Sequence, residues 1–349
     1  MKAKEFWIDF LKGTTIGFAI PIPGVSGGTM AVLTGIFDKI ANAVANIKKN
    51  FWGSLRSVLP IALGALFMAI IGFLGIKKGF EFAPFALSAL FGGLVFGSTP
   101  VVTKELKGVP MKGAAVSRIV IGFIVAAGIG VASALVYYFT GFSIASSLRS
   151  DVLWIYPVLL VAGFIGASAA VVPGISGSMM MYLMGLYVPV VSLYTTWGNW
   201  KNSALYGVLF GGGVCLIVGG LAGFVLTNIW MKDLIAKKHD PTYEVILGFI
   251  FGSLVSLFIN PQMVKTFIAT DGSTINYWLY SGLASQNIAG TPIWEWIVGT
   301  VLFVGSAILL FYITTHVQKK ETVAQAKLVE STPAKPAKST SITDDFERK

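Results

Sequence analysis

Cysteine occurs once, as Cys215, and histidine twice, as His239 and His316, in a chain of 349 residues. One thiol in a Gly-rich apolar stretch excludes an intrachain disulfide and a multi-cysteine metal site, and histidines at segment ends do not make a ligand set. Charge is scarce too: Asp, Glu, Lys and Arg make up 12% of the residues, about half the share of an ordinary soluble domain. Nor do the carboxylates cluster as metal-assisted or acid–base chemistry would need. No catalytic residue, metal or cofactor is therefore expected. What abounds is apolar surface, with 55% hydrophobic residues and 40 glycines. At a mean hydropathy of +0.76, the chain must be solvated by lipid. The net charge of +10 resides in Lys and Arg placed between apolar runs, where they set topology and meet anionic headgroups, so nucleic acid is not an expected partner.

Apolar runs near the length of a membrane span recur at about 7–22, 25–47, 54–76, 81–102, 114–140, 152–172, 175–197, 203–231, 242–260 and 294–316. Because they continue almost to the end, no cleavable signal is expected. Residues 319–349 are polar, contain Pro, Ser and Thr, and cannot bury a core; they read as a disordered tail.

The chain repeats itself. Ile22-Pro23-Gly24-Val25-Ser26-Gly27-Gly28 returns as Val172-Pro173-Gly174-Ile175-Ser176-Gly177-Ser178, an offset of 150 residues that also matches Gly13 to Gly163 and Gly35 to Gly185. Gly93-Leu94-Val95-Phe96-Gly97-Ser98 returns, less closely, as Gly248-Phe249-Ile250-Phe251-Gly252-Ser253. Internal symmetry of this kind marks duplicated transporters. An odd number of crossings separates each motif from its copy, which turns the second half upside down. The first repeat is then 1–140 and the second 141–318, ahead of the tail at 319–349. With the amino terminus inside, the cytoplasmic loops receive Lys48, Lys49, Arg56, Lys104, Lys107, Lys112, Lys232, Lys237 and Lys238 among others, and the outside only Lys77, Lys78, Arg149, Lys201 and Lys265. Both termini are expected in the cytoplasm. Trp7, Trp52, Trp154, Trp197, Trp200, Trp230, Trp294 and Trp296 suit an interfacial belt.

Proline and glycine within an apolar run break the helix and free backbone groups that lipid cannot satisfy. Each break here carries hydroxyls, Ser26 with Thr29 in the first copy and Ser176 with Ser178 in the second. The half-helix that follows each break offers unpaired N–H groups to an anion. Glycines 24, 27, 28, 174 and 177 let a ligand approach the backbone. The runs flanking each break are too short or too charged for comfortable spans, so re-entrant hairpins at about 7–47 and 152–197 are expected. Entering from opposite sides, their tips would meet near the midplane. The expected fold is thus an all-α integral membrane protein of two inverted-topology repeats, each a re-entrant helical hairpin plus about three transmembrane helices, at 54–140 and 203–316. Gly207, Gly211, Gly219 and Gly223 have the spacing of a helix-packing stripe. Of the ionisable residues in apolar runs, Lys12 and Arg118 are the candidate counter-ions for an anion, with Asp9 at i−3 available to pair with Lys12. Asp38, Glu81, Arg149, Glu244 and Glu295 read as interfacial anchors.

The paired motifs, the Gly-Leu-Val-Phe-Gly and Gly-Phe-Ile-Phe-Gly elements and the length together resemble the bacterial family labelled domain of unknown function 368, the PopT polyprenyl-phosphate transporters, over roughly residues 5–316. The resemblance implies a plasma-membrane translocase that returns undecaprenyl phosphate from the outer to the inner leaflet for cell-wall synthesis. Its headgroup would lie against Pro23, Gly24, Ser26, Gly27, Gly28 and Thr29 of one tip and Pro173, Gly174, Ser176, Gly177 and Ser178 of the other. The copies differ at one hydroxyl, since Met179 stands opposite Thr29. Carrying an anion inward opposes an inside-negative potential by about 2.3 kcal/mol per charge per 100 mV, which protonation of the phosphate or symport of protons or sodium would offset. A small soluble anion suits the same cradle and stays open as a substrate. A membrane polyprenyl-pyrophosphate phosphatase shares Pro-Gly-x-Ser loops, but its loop continues with Arg after the Ser, where this chain has Gly27 and Gly177.

Overall fold

The computed structural model describes residues 3–46, 48–142, 148, 152–269 and 272–331. Helix α1 (Ala3–Ala19) leads through the first break to α2 (Gly27–Leu33) and α3 (Phe37–Asn46). Three longer stretches follow: α4 (Phe51–Phe82), α5 (Pro84–Gly97) continued by the short α6 (Pro100–Thr103), and α7 (Gly113–Thr140). The same order returns as α8 (Ile155–Val171), the second break, α9 (Gly177–Leu183), α10 (Tyr187–Thr195) and the short α11 (Trp197–Lys201). Then come α12 (Gly212–Lys237), α13 (His239–Phe258) and α14 (Ile293–Ser331).

Local chemistry sets these boundaries. The Asn50 side chain accepts the Gly53 amide at 2.9 Å and starts α4. Pro84, which lacks an amide hydrogen, opens α5 directly after α4 ends. Gly141, at φ 65°, closes α7 in the left-handed conformation that terminates helices. Among the described residues six helical stretches are long and apolar enough to cross a membrane, and three of them, 51–82, 84–103 and 113–140, precede the second break. The other three, 203–237, 239–263 and 293–316, follow it. This is a predominantly helical, multi-pass integral membrane protein. Its outer surface is oily, with Leu66, Ile124, Ile217 and Val301 each about 60% exposed or more to what would be lipid.

Glycines weld the helices into four pairs. A methyl on Gly64 of α4 would fall 2.0 Å from the Phe10 carbonyl oxygen of α1, and one on Gly219 of α12 would fall 1.9 Å from that of Leu160 in α8. Gly93 of α5 sits likewise against Phe303 of α14 (2.1 Å), and Gly248 of α13 against Ile119 of α7 (1.9 Å). Backbones this close leave room for no side chain, and close backbone packing is what joins helices in lipid. Of the expected stripe on the segment before Lys237, Gly219 and Gly223 pack on the α8 backbone and Gly211 on the Tyr156 ring of α8, with Gly207–Gly211 forming a π-helical turn.

Two features depart from the sequence reading. A two-stranded antiparallel hairpin, β1 (Val264–Ile268) with β2 (Thr274–Trp278), follows α13 and pairs Lys265 with Tyr277. Asn276 ties it to the end of α7 by donating to the carbonyls of Tyr137 and Tyr138 at 3.1 Å. In addition, α14 runs on to Ser331, past Lys319 where the disordered tail was expected to begin. The remainder of that tail, 332–349, lies outside the described residues.

Candidate functional site

The two breaks are copies in geometry as well as in sequence. After α1, Ile22 N donates to Ala19 O at 3.2 Å and Val25 N to Ile22 O at 3.4 Å; after α8, Val172 N donates to Ala169 O at 3.1 Å and Ile175 N to Val172 O at 3.2 Å. Gly24 at φ 85° and Gly174 at φ 78° turn the chain through conformations that L residues avoid. A side chain would also not fit at Gly24, whose methyl would meet the Val95 backbone nitrogen at 2.6 Å. The new helices then begin, their first internal bonds running from Met30 N to Ser26 O (3.2 Å) and from Met180 N to Ser176 O (3.1 Å). The amides ahead of these bonds have no acceptor within the helix. Each half-helix is only 7 residues long, so unpaired amides rather than a long macrodipole are what it offers. Gly35 (φ 68°) and Gly185 (φ 72°) end both half-helices in the left-handed conformation, and in the second copy α9 and α10 meet at a bend of 106°.

The fold brings the tips together. Ser26, Gly27 and Gly28 line one cavity of about 560 Å³ with Ser176, Gly177 and Ser178, its walls made by the small residues Ala162, Gly163, Gly166 and Ala170. A second cavity of about 230 Å³ is lined by Gly24 and Ser26 with Pro173, Gly174 and Ser176, and by Ser98 and Thr314. Pro23 is buried beneath its tip and lines neither cavity. Thr29 belongs to α2; its side chain lies outside the described residues. The Ser176 hydroxyl makes no capping bond to its own helix and instead shares a 2.7 Å hydrogen bond with Ser178 Oγ. Across the junction, Tyr187 of α10 donates to the Pro21 carbonyl at 2.5 Å, and Tyr182 of α9 shares a 2.8 Å bond with Ser88 of α5. Among the described residues no titratable side chain lines either cavity. What the tips present is hydroxyls, glycine backbone and unpaired amides, a set that can hold an oxyanion without a fixed cation.

The two expected counter-ions lie elsewhere. Arg118 forms an ion pair with Glu244 of α13, whose carboxylate is buried. Lys12 is half-buried on α1 and lines neither tip cavity. Asp9, available in sequence to Lys12, is paired with Lys39 of α3 instead; α3 packs on α4, beside α1, and so brings a partner thirty positions away to the carboxylate. Two expected anchors also prove structural. Glu244 neutralises Arg118, and Glu295, 3% exposed, accepts the Phe85 and Ala86 amides at 2.6 and 3.2 Å, capping α5. Ser98 entered the sequence reading only as the end of the weaker repeat and Thr314 not at all, because a hydroxyl at the end of an apolar run carries no local sign of which cavity it lines.

With both tips in place, the comparisons acquire a site to refer to. Residues 16–275, which hold both break motifs, match the model of a family described as undecaprenyl phosphate translocase-like. The chain belongs to this family. It is similar to a polyprenyl-phosphate transporter of Staphylococcus aureus, 28% identical over 72% of this chain and 86% of the relative. It is also similar to one of Vibrio cholerae, 24% identical over 91% of this chain and 99% of the relative. No solved structure matches it. Both relatives are named transporters rather than enzymes, in agreement with a non-enzymatic member of the undecaprenyl phosphate translocase-like family.

Proposed function

We propose that the chain translocates undecaprenyl phosphate, or a closely related polyprenyl phosphate, from the outer to the inner leaflet of the bacterial plasma membrane. The observation that carries this reading is the shared lining of one cavity by Ser26, Gly27 and Gly28 with Ser176, Gly177 and Ser178, in a family described by this substrate. A phosphate monoester cannot cross hydrocarbon unaided, whereas its polyprenyl tail can remain in lipid. Only the headgroup needs a path. The two tips act as re-entrant hairpins of inverted repeats, with three crossings in each half reversing the second, and their hydroxyls and amides hold the phosphate near the midplane. Neither Lys12 nor Arg118 belongs to this cradle. The absence of a fixed cation makes protonation of the phosphate, or symport of a proton or sodium ion, the means of limiting its charge during passage. Both termini face the cytoplasm.

The test uses liposomes carrying labelled undecaprenyl phosphate, with a soluble phosphatase outside reporting which headgroups remain accessible. The wild-type protein should withdraw the label, faster under an imposed proton or sodium gradient of the right sign. Ser26→Ala and Ser176→Ala each delete a bond worth about 1.5–3 kcal/mol to a charged ligand, so each should slow withdrawal at least about tenfold with melting unchanged. Uptake of free phosphate with no movement of the lipid would assign the site to a small soluble anion instead; equal loss of melting and transport would make the serines packing residues.

A further inference from the structure

A cavity larger than either tip cavity lies away from the tips. About 690 Å³ in volume, it opens where α4 and α7 end and where the chain leaves α13, with Lys77, Tyr137, Thr196, Gln262 and Lys265 in its lining. Along α7 it is about 28 Å from the Arg118–Glu244 pair, taking 1.5 Å per residue from Arg118 to Tyr137. It therefore occupies the opposite end of the bundle, the outer end in the proposed orientation.

Its electrostatics are unbalanced. Lys77 Nζ donates to Thr196 Oγ1 at 2.7 Å, a neutral acceptor, and shares the Glu81 carboxylate's field with Lys78. Lys265 is half-buried, and burial holds its ammonium below the usual lysine range, against the pull of Glu295. Among the described residues the one carboxylate in the lining, Glu81, is already bound to Lys78 at 2.8 Å. Gln262 Oε1 is the buried side-chain polar atom left without a hydrogen-bond partner among the described residues; half a turn of the amide would present its N–H groups there instead. Two cations and an unsatisfied amide converge on a space large enough for a phosphate monoester.

A separate apolar groove lies on the other face of α10, lined there by Tyr187, Val191 and Tyr194, whereas Val188, Ser192 and Thr196 face the chamber. On α4, Phe73 lies one turn before Lys77 and lines this groove of about 290 Å³ with Ile20, Tyr187 and Val191. That groove shares Ile20, Ser178, Met181 and Val190 with the cavity between the tips. The groove thus adjoins the hydroxyl cradle, and α10 stands between it and the polar chamber.

We infer that the chamber around Lys77 and Lys265 is a second phosphate-monoester site, which holds the headgroup at the outer end of the bundle before it reaches the tips. This rests on the polyprenyl-phosphate reading and adds to it a site with fixed cations, where the tips have none.

Farnesyl monophosphate, inorganic phosphate and farnesol serve as the probes, titrated calorimetrically into the full-length protein in nanodiscs. Farnesyl monophosphate should bind, and Lys77→Gln and Lys265→Gln should each weaken it about ten- to a hundredfold. Lys265→Arg should restore most of the affinity, and Lys201→Gln, which removes a charge from outside the lining, should leave it unchanged. On the wild-type protein, farnesyl monophosphate should shield Lys77 and Lys265, but not Lys201, from an impermeant amine-reactive reagent; this arm needs no variant to fold. Inorganic phosphate binding as tightly as the prenyl ester would keep the anion site but assign it to free phosphate, overturning the lipid assignment. Wild-type affinity in both Gln variants, or no shielding, would overturn the site while leaving translocation by the wild type intact. Shielding without any translocation in liposomes would instead remove the carrier reading and keep the anion site.

Discussion

Gly24 and Gly174 occupy equivalent points of the two breaks, yet exchanging each for alanine should have unequal effects. Both stand at positive φ, 85° and 78°, where an L side chain costs about 1–2 kcal/mol. They differ in what a methyl would meet. At Gly24 the contacts are backbone, Val95 N at 2.6 Å and Leu94 C at 2.8 Å, atoms fixed in the middle of α5. At Gly174 they are the ends of side chains, Val102 Cγ2 at 2.7 Å and Ile250 Cδ1 at 3.0 Å, which can move aside by small torsional changes. Displacing α5 adds an overpacking cost of about 1–3 kcal/mol. Gly24→Ala should therefore lose about 2–5 kcal/mol and Gly174→Ala little more than the conformational cost of about 1–2 kcal/mol. Thermal melting of the purified proteins in one detergent, followed by tryptophan fluorescence, orders the two. Equal melting temperatures, or Gly174→Ala melting first, would refute the argument that backbone contact with α5 sets the difference.

Gly28→Ala should melt like the wild type, since the added methyl meets only Ser26 Oγ at 3.5 Å, but should slow translocation because it narrows the cavity between the tips. A double-mutant cycle on Asp9→Asn and Lys39→Met, read by chemical denaturation, should give a coupling of up to about 1 kcal/mol; the same cycle on Asp9 and Lys12 should give none. Lys12→Met should translocate at close to the wild-type rate per inserted protein, and a sharp loss would return Lys12 to the headgroup path.

The parts of this protein that were legible in its sequence are those that depend on backbone. Gly24 and Gly174, and Gly35 and Gly185, stand out because only glycine tolerates the turns they make, so the duplication showed itself at the positions where substitution is least permitted. Gly13 and Gly163, and Gly93 with Gly248, were legible for the related reason that helices touch there. Side-chain partners were not. Asp9 could be assigned to Lys12 by helical spacing, but a helix break returns the chain and supplies Lys39, a choice no local pattern records. Lys77 and Lys265 each read as one more charge at an interface; they share a chamber only because the hairpin after α13 folds back to the end of α4. That hairpin was itself hidden, since a short strand among apolar segments lacks the length that made the helices obvious.

The glycine-welded pairs do not respect the duplication that produced them. α5 joins α14 and α7 joins α13, so two of the four seams bind an early segment to a late one. While the chain is being made, α5 would wait in the bilayer with Gly93 and Gly97 facing lipid until nearly three hundred residues have been synthesised and Ile293 begins its partner. Severing the chain between α7 and α8 would leave each fragment with one seam it can close alone and two half-seams it cannot. The segments before and after residue 141 are therefore not separable: two seams of each close only against the other.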